Sequence, residues 1–181
     1  YFIVFFRSSG TLFSQCSVVA WGSYMTSNSL SLGVTESFSN VYSFAALKSE
    51  GSVATWGLNN SGGNSSSVAS SLSSWVTEIF STDRAFAALK SNGSVVTWGQ
   101  SNYGGDSSSA SGLNSGVTKI FSTNWSFAAL KSNGSVVTWG QGIWGGDSSS
   151  VYSDLSSGVI DISSTIQAFA ALKSDGSVVT W

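Results

Sequence analysis

Short apolar runs alternate with segments rich in glycine, serine and asparagine along the whole chain, a pattern typical of β-strands joined by turns. The segment FAALKSNGSVVTW, residues 86–98, has two apolar runs on either side of Asn92-Gly93. Asn-Gly takes positive φ at both central positions of a type I′ turn at low cost, so this segment predicts a β-hairpin with that turn. No stretch of the sequence shows the 3.6-residue apolar period of an amphipathic helix.

Further strands are predicted on both sides of this hairpin. The runs VTEIFS, residues 76–81, and VTKIFS, residues 117–122, each predict a strand before a hairpin. A fourth, weaker strand is expected near Val68–Leu72 or Ala110–Leu113, after a segment rich in glycine and serine. Each unit is therefore expected to contain three or four antiparallel strands.

The first strand of the hairpin is apolar on both faces. Because successive side chains in a strand point to opposite faces, Phe86 and Ala88 point one way, and Ala87 and Leu89 point the other way. An antiparallel sheet with one wet face would instead alternate polar and apolar residues. We therefore expect a neighbouring sheet on each side of this strand, with the alanines allowing close approach.

The same unit returns at a regular interval. Trp56, Trp98, Trp139 and Trp181 are spaced by 42, 41 and 42 residues. The predicted repeats are a partial, degenerate one, residues 1–21, in which Cys16 takes the glycine position, followed by Gly22–Trp56, Gly57–Trp98, Gly99–Trp139 and Gly140–Trp181. Antiparallel units of this length, buried on both faces, predict an all-β fold, a β-propeller with blades of about 42 residues. We expect an incomplete ring of about four and a half blades, cut from a longer protein.

Composition narrows the classes of function. Charged residues make up 9% of the chain, against about 25% on average, and the net charge is −2 with seven basic residues. This gives no electrostatic footprint for nucleic acid. Histidine is absent and Cys16 is the only cysteine, so we predict no metal site, no cofactor and no internal disulfide. The longest apolar run, residues 1–6, is too short to span a membrane.

The repeated string ALKSNGSVVTWG, followed by a Gly-Gly pair, resembles the RCC1-type repeat, in the bacterial form also seen in propellers of the β-lactamase inhibitory protein II type. The positions that carry the resemblance are Leu89, Lys90, Asn92, Gly93, Val95, Trp98 and Gly99, and the other repeats match in step. The resemblance implies a ring that usually contains seven blades. Open blade edges in a shorter ring would favour self-association.

Two positions in each repeat vary sharply while the rest stays nearly constant. One is the dipeptide before the FAAL strand, and the other follows Trp-Gly. In an up-and-down blade the loops at both positions lie on the same side of the ring, so the variation is expected to gather on one face. The predicted partner-binding residues on this face are Tyr42, Asp83, Arg84, Tyr103, Asn124, Trp125, Trp144 and Gln167. Aromatic and arginine side chains on rigid loops are typical of binding hot spots, whereas unconstrained drift remains the alternative explanation.

Other polar residues have simpler interpretations. Asp106 and Asp147 follow Gly-Gly pairs and are expected to cap turns, since one carboxylate per loop falls well short of a calcium site. A lysine recurs at the end of the FAAL strand, as a solvated charge or as part of a basic stripe: Lys48, Lys90, Lys131 and Lys173. A charged residue also recurs at a second repeat position: Glu36, Glu78, Lys119 and Asp161. We expect these residues either to line the central channel or to face water.

These observations favour a non-enzymatic scaffold that binds a protein partner through its variable loop face. Its low-charge, serine-rich surface is typical of a secreted or surface-exposed bacterial protein. The main alternative is a structural spacer array within a large adhesin-like protein. A third is an enzyme whose catalytic residues lie in blades beyond this sequence.

Overall fold

The computed structural model describes residues 4–7, 16–19, 29–30 and 33–181, with side chains from residue 33 onward. These residues form five three-stranded antiparallel sheets, and consecutive strands are neighbours in every sheet. The first sheet contains β1 (Val4–Arg7), β2 (Cys16–Val19) and β3 (Ser29–Leu30). Cys16 lies in a strand opposite Arg7. The predicted repeat boundary at Trp21 lies outside the described residues.

Four further sheets follow, and we call them blades A to D. Blade A contains β4 (Val34–Ser39), β5 (Ser43–Lys48) and β6 (Val53–Gly57), and blade B contains β7 (Val76–Ser81), β8 (Ala85–Lys90) and β9 (Val95–Gly99). Blade C contains β10 (Val117–Ser122), β11 (Ser126–Lys131) and β12 (Val136–Gly140), and blade D contains β13 (Val159–Ser164), β14 (Phe169–Lys173) and β15 (Val178–Thr180). Short 3₁₀ helices lie in the connections between blades, at Asn59–Ser61, Ser66–Val68, Ser101–Tyr103, Gly142–Trp144 and Ser149–Val151. No helix in the described part of the chain is long and apolar enough to cross a membrane.

The predicted hairpin forms in every blade, but its turn is not of type I′. Gly93 has φ +75°, whereas Asn92 does not share this positive φ. The Gly93 N–H donates to Lys90 O and the Lys90 N–H to Ser94 O, which is a type I turn closed by a glycine bulge. Asn92 supports the turn differently, because its Oδ1 accepts from the backbone N–H and the hydroxyl of Ser94.

The fourth strand expected at Val68–Leu72 or Ala110–Leu113 is absent from blades A and B. One backbone hydrogen bond links each segment to the third strand, from Val53 N to Leu72 O and from Val95 N to Leu113 O. Leu72 and Leu113 are nevertheless buried, at 1% and 5% exposure. Each segment therefore contributes one buried leucine to the core beside the third strand and does not extend the sheet. In the first sheet the two-residue β3 pairs with β2.

The core lies between the blades, as the two-faced apolar strand predicts. Phe86 and Ala88 of blade B pack in one cluster with Ala45 and Leu47 of blade A. The opposite side of β8 packs on blade C: Ala85, Ala87 and Leu89 share a cluster with Phe127, Ala129 and Trp139. The alanines are fully buried, which allows the sheets to approach closely. In blade D, no described blade covers the face that blade B turns toward blade C. Leu172 on this face is 41% exposed, whereas Leu130 in blade C is 8% exposed.

Glycines in the Trp-Gly and Gly-Gly motifs sit where a side chain would collide with backbone. Gly99 has φ +109°, and a Cβ there would lie 2.7 Å from the carbonyl oxygen of Arg84. A Cβ on Gly105 would lie 2.4 Å from the backbone of Gly99. The two motifs therefore hold the connection after the third strand tightly against the loop between the first two strands, and this brings the two variable positions together.

The first strands of successive blades contact one another and form the inner wall. Each has a bulge near its start, and in blades A to C the bulged threonine donates to a leucine carbonyl on the second strand. Lys119 and Asp161, at the position whose charges vary in sign, form an exposed ion pair of 3.4 Å. Exposed pairs of this kind contribute little to stability.

Candidate functional site

The loop face is the side of the propeller formed by the loops between first and second strands and by the 3₁₀ turns after the third strands. Five predicted binding residues form a continuous row across it. We call this the aromatic row: Tyr42, Arg84, Tyr103, Trp125 and Trp144. All five side chains are half-buried, and they come from blades A, B and C and the connections that follow blades B and C.

Stacking contacts join the members of the row. The ring centres of Trp125 and Trp144 are 5.3 Å apart with an interplanar angle of 28°, and those of Tyr103 and Trp125 are 6.4 Å apart. The guanidinium carbon of Arg84 lies 5.4 Å from the ring centre of Tyr103 and 4.8 Å from that of Tyr42. These are distances at which aromatic pairs and cation–π pairs attract each other.

Arg84 carries the row across the junction between blades A and B because the aromatic residue of that connection is missing. Ser61 occupies the place that Tyr103 and Trp144 take in the following connections, and it is fully buried. The Arg84 guanidinium donates from one nitrogen to Tyr42 Oη at 3.3 Å. A second nitrogen donates to Gln100 Oε1 at 3.4 Å.

Hydrogen bonds from the loops fix the 3₁₀ turns that carry the rings. Thr82 Oγ1 donates to the carbonyl of Tyr103 at 2.8 Å, and Thr123 Oγ1 donates to that of Trp144 at 3.2 Å. Each turn ends in a glycine with positive φ, Gly104 and Gly145. The rings therefore sit on a fixed backbone, and little conformational entropy remains to be lost when a partner binds them.

Asp83 and Asn124 belong to a separate feature, the inner depression. It is a polar hollow of about 390 Å³ at the loop-face end of the first strands, lined by Ser39, Asn40, Val41, Ser81, Thr82, Asp83, Ser122, Thr123 and Asn124. Its rim is a chain of backbone hydrogen bonds from blade to blade. Val41 N donates to Asp83 O, Asp83 N to Asn124 O, and Asn124 N to Ile166 O.

The Asp83 carboxyl differs electrostatically from the other acids of the loops. Partial burial raises its pKa, although the Asn124 side chain and the charge of Arg84 act in the opposite direction. In contrast, the hydrogen bond from the Ser108 backbone lowers the pKa of Asp106, and that from Ser149 lowers the pKa of Asp147. Asp106 and Asp147 therefore cap turns, as expected, each accepting from a backbone N–H at 2.9 Å.

The remaining sequence-based expectations have mixed outcomes. Gln167 is exposed, and no described side-chain contact places it in the aromatic row. Lys90 and Lys131 each donate from Nζ to a loop carbonyl in an exposed hydrogen bond, to Ser71 and to Gly112. Among the described residues, no three His, Cys, Asp or Glu side chains come together as metal ligands would.

Two further residues were not predicted from the sequence. Gln100 lies directly before the variable residues that follow Trp-Gly, and its side chain accepts a hydrogen bond from Arg84. Trp75 is 69% exposed on the opposite side of the ring and is the only non-glycine residue with positive φ, +67°, in the described part of the chain. Comparing the repeats could have found Trp75, because the equivalent positions are Gly33, Gly116 and Gly158.

Comparison with known proteins establishes the fold. No protein-family model matches the chain, and a search of curated proteins finds no match. Among solved structures, Prp20p from Saccharomyces cerevisiae is 19% identical with a TM-score of 0.55, and the match covers 82% of this chain and 44% of Prp20p. The same yeast protein, RCC1, matches in its complex with Kap60 at the same identity and TM-score, over 82% of this chain and 43% of that one.

The chain folds as an RCC1-like β-propeller. Human WBSCR16 is a further match, 21% identical with a TM-score of 0.52, over 82% of this chain and 47% of WBSCR16. This RCC1-like propeller thus spans less than half the length of these structural neighbours. At such low identity the likeness concerns the fold alone, and the loop face has to be interpreted from its own residues.

Proposed function

We propose that this RCC1-like propeller is a non-enzymatic scaffold that binds a protein partner through its loop face. The observation that carries the proposal is the aromatic row, in which side chains from three blades and two connections stack into one surface. Tyrosine, tryptophan and arginine are the residues most enriched in interface hot spots. Within each repeat they occupy the positions that vary, whereas the scaffold around them stays constant.

The fold itself is compatible with this role. Among the structural neighbours, Prp20p has been studied for its binding to Gsp1p and histones, and yeast RCC1 has been crystallised with Kap60. Trp125 and Trp144 stack on each other, and Tyr42, Arg84 and Gln100 add polar groups beside the rings. A contoured protein surface matches such a mixed apolar and polar strip.

The decisive experiment removes the row and keeps the scaffold. We expect the triple variant Tyr103→Ser, Trp125→Ser, Trp144→Ser to retain the circular dichroism spectrum of the parent. The amount of partner that the variant captures from the source cells or their medium should fall by at least about tenfold, because each hot-spot truncation costs about 2 kcal/mol or more of binding free energy.

A matched control removes aromatic area elsewhere. Trp75 and Tyr152 are exposed by 69% and 73% and lie outside the row, so Trp75→Gly, Tyr152→Ser should leave capture unchanged. Equal capture by parent and triple variant would contradict the proposal. If the parent captures no saturable partner at all, the spacer-array alternative is favoured instead.

A further inference from the structure

Asp83 is a partly buried acid that has no ion-pair partner among the described side chains. The one ion pair in residues 33–181 joins Lys119 and Asp161 on the inner strands. Arg84 follows Asp83 directly in the chain, yet its hydrogen bonds go to Tyr42 and Gln100. Arg84 thus forms no ion pair with Asp83, although its charge and the Asn124 side chain act on the Asp83 carboxyl. Asp83 also lines the inner depression.

The backbone fixes this acid in place. Asp83 N donates to Asn124 O at 2.9 Å, and Asp83 O accepts from Val41 N at 3.2 Å. These bonds join the Asp83 loop to the neighbouring blades on both sides. An unpaired carboxylate that is partly removed from water is unfavourable unless a counter-charge reaches it. The raised pKa of Asp83 agrees with this geometry.

The depression around Asp83 has the size and lining to receive a cationic side chain. Its volume is about 390 Å³, and Ser39, Ser81 and Ser122 are among the residues that line it. Serine hydroxyl oxygens can accept hydrogen bonds from those N–H groups of an ammonium or guanidinium that do not donate to Asp83. The equivalent positions on the other blades, Val41, Asn124 and Ile166, carry no charge. A cation bound in the depression would therefore pair with blade B alone.

We infer that the inner depression receives a lysine or arginine side chain of the partner, paired with Asp83. The inference rests on the proposed binding role of the loop face and adds the chemistry of the partner. The cation fixes the rotational position of the partner on the propeller, because the equivalent positions on the other blades are neutral and offer no such contact. The aromatic row then covers the adjacent apolar surface of the partner.

The first test uses a small probe and does not need the partner. Nα-acetyl-lysine methylamide is titrated into the full chain while nuclear magnetic resonance follows the Asp83 carboxyl carbon and the amides of residues 81–84 and 123–125. We expect saturable shifts with a millimolar dissociation constant that weakens with added salt. Asp83→Asn should weaken binding by about tenfold, and the uncharged norleucine analogue should not bind.

Controls separate this inference from the proposed function. The triple variant of the row should still bind the lysine probe, because the row and the depression are distinct. In partner capture, Asp83→Asn should lower the amount bound by at least about tenfold, as expected for loss of one partner of a desolvated charge pair. Unsaturable shifts, equal probe binding by Asp83→Asn, or undiminished capture by that variant would each overturn the inference. Loss of capture in the triple variant alone would leave the proposed function standing.

Discussion

The indole Nε1 of Trp98 donates a hydrogen bond of 3.0 Å to the carbonyl oxygen of Gly62, 36 positions earlier in the chain. Trp139 and Gly104 make the same contact one junction further on. Each tryptophan also stacks on the phenylalanine of its own blade, with ring centres 5.3 Å apart for Phe86 and Trp98. One side chain of the repeat thus fills its own blade and ties that blade to the connection before it.

Trp98→Phe should therefore destabilise the fold through the junction rather than through the blade. The phenyl ring can keep the stack on Phe86, but the buried carbonyl of Gly62 loses its donor, at a cost of about 1–3 kcal/mol. Denaturant unfolding measures the loss. Trp181→Phe is the comparison, because the bond from Trp181 to Gly145 is only partly buried and its removal should cost less. Equal losses in the two variants would contradict this account.

Trp75→Gly should stabilise the protein. The left-handed conformation costs a non-glycine residue about 1–2 kcal/mol, and the added freedom of glycine in the unfolded chain offsets up to about 1 kcal/mol of that gain. Little packing is lost, because Trp75 is 69% exposed. We expect a net gain of about 0.5–1 kcal/mol in the free energy of unfolding.

The reverse substitution at the next junction is a matched control. Gly116 has φ +75°, and a Cβ there meets nothing closer than 3.5 Å. Gly116→Trp should lower the free energy of unfolding by about 1 kcal/mol through backbone strain. A stability loss in Trp75→Gly would show that the indole makes a favourable contact that outweighs the strain.

Two glycines in one connection should respond very differently to alanine. Gly145 has φ +92°, and a Cβ there would lie 2.7 Å from Cδ2 of the buried Phe169. Gly145→Ala should cost about 2–4 kcal/mol through strain and overpacking. A Cβ on Gly142 meets only Asp147 Cβ, at 3.5 Å, so Gly142→Ala should change stability by less than about 0.5 kcal/mol. Thermal unfolding of both variants tests the difference.

The turn aspartates should make stability depend on pH in the acid range. Hydrogen bonds to the folded carboxylates lower the pKa values of Asp106 and Asp147. Their contribution is present above the unfolded-state pKa and is lost as the pH falls through the folded-state pKa. Asn64 accepts the equivalent bond from Ser66 without a charge. The double variant Asp106→Asn, Asp147→Asn should therefore fold normally and lose less stability than the parent between neutral and acid pH.

The blades could be predicted from the sequence because the unit repeats, but the type of the hairpin turn could not. Asn92-Gly93 predicts a hairpin in either turn type, and the φ of Asn92, which is not positive, excludes type I′. Contact with a neighbouring blade does not decide the turn type. In blade D nothing in the described part of the chain lies near Gly176, yet Gly176 N donates to Lys173 O and Lys173 N to Ser177 O, as in the other blades. Likewise, the apolar residues near Leu72 suggested a strand, whereas packing under the blade edge needs one leucine and leaves the rest as turns.

The sequence by itself determined the architecture, since a strand that is apolar on both faces, a constant hairpin and a tryptophan every 41 or 42 residues specify a blade locally. It also placed the variable residues on one face, because the direction of antiparallel strands follows from their order. Only the tertiary structure decided which of these residues touch. Tyr103 lies in the connection after blade B and Trp125 in blade C, and their tilted rings meet because Thr82 and the Gly-Gly turn position one ring against the next. Arg84 joins the row while Asp83 turns to the depression, because interblade hydrogen bonds orient adjacent residues differently.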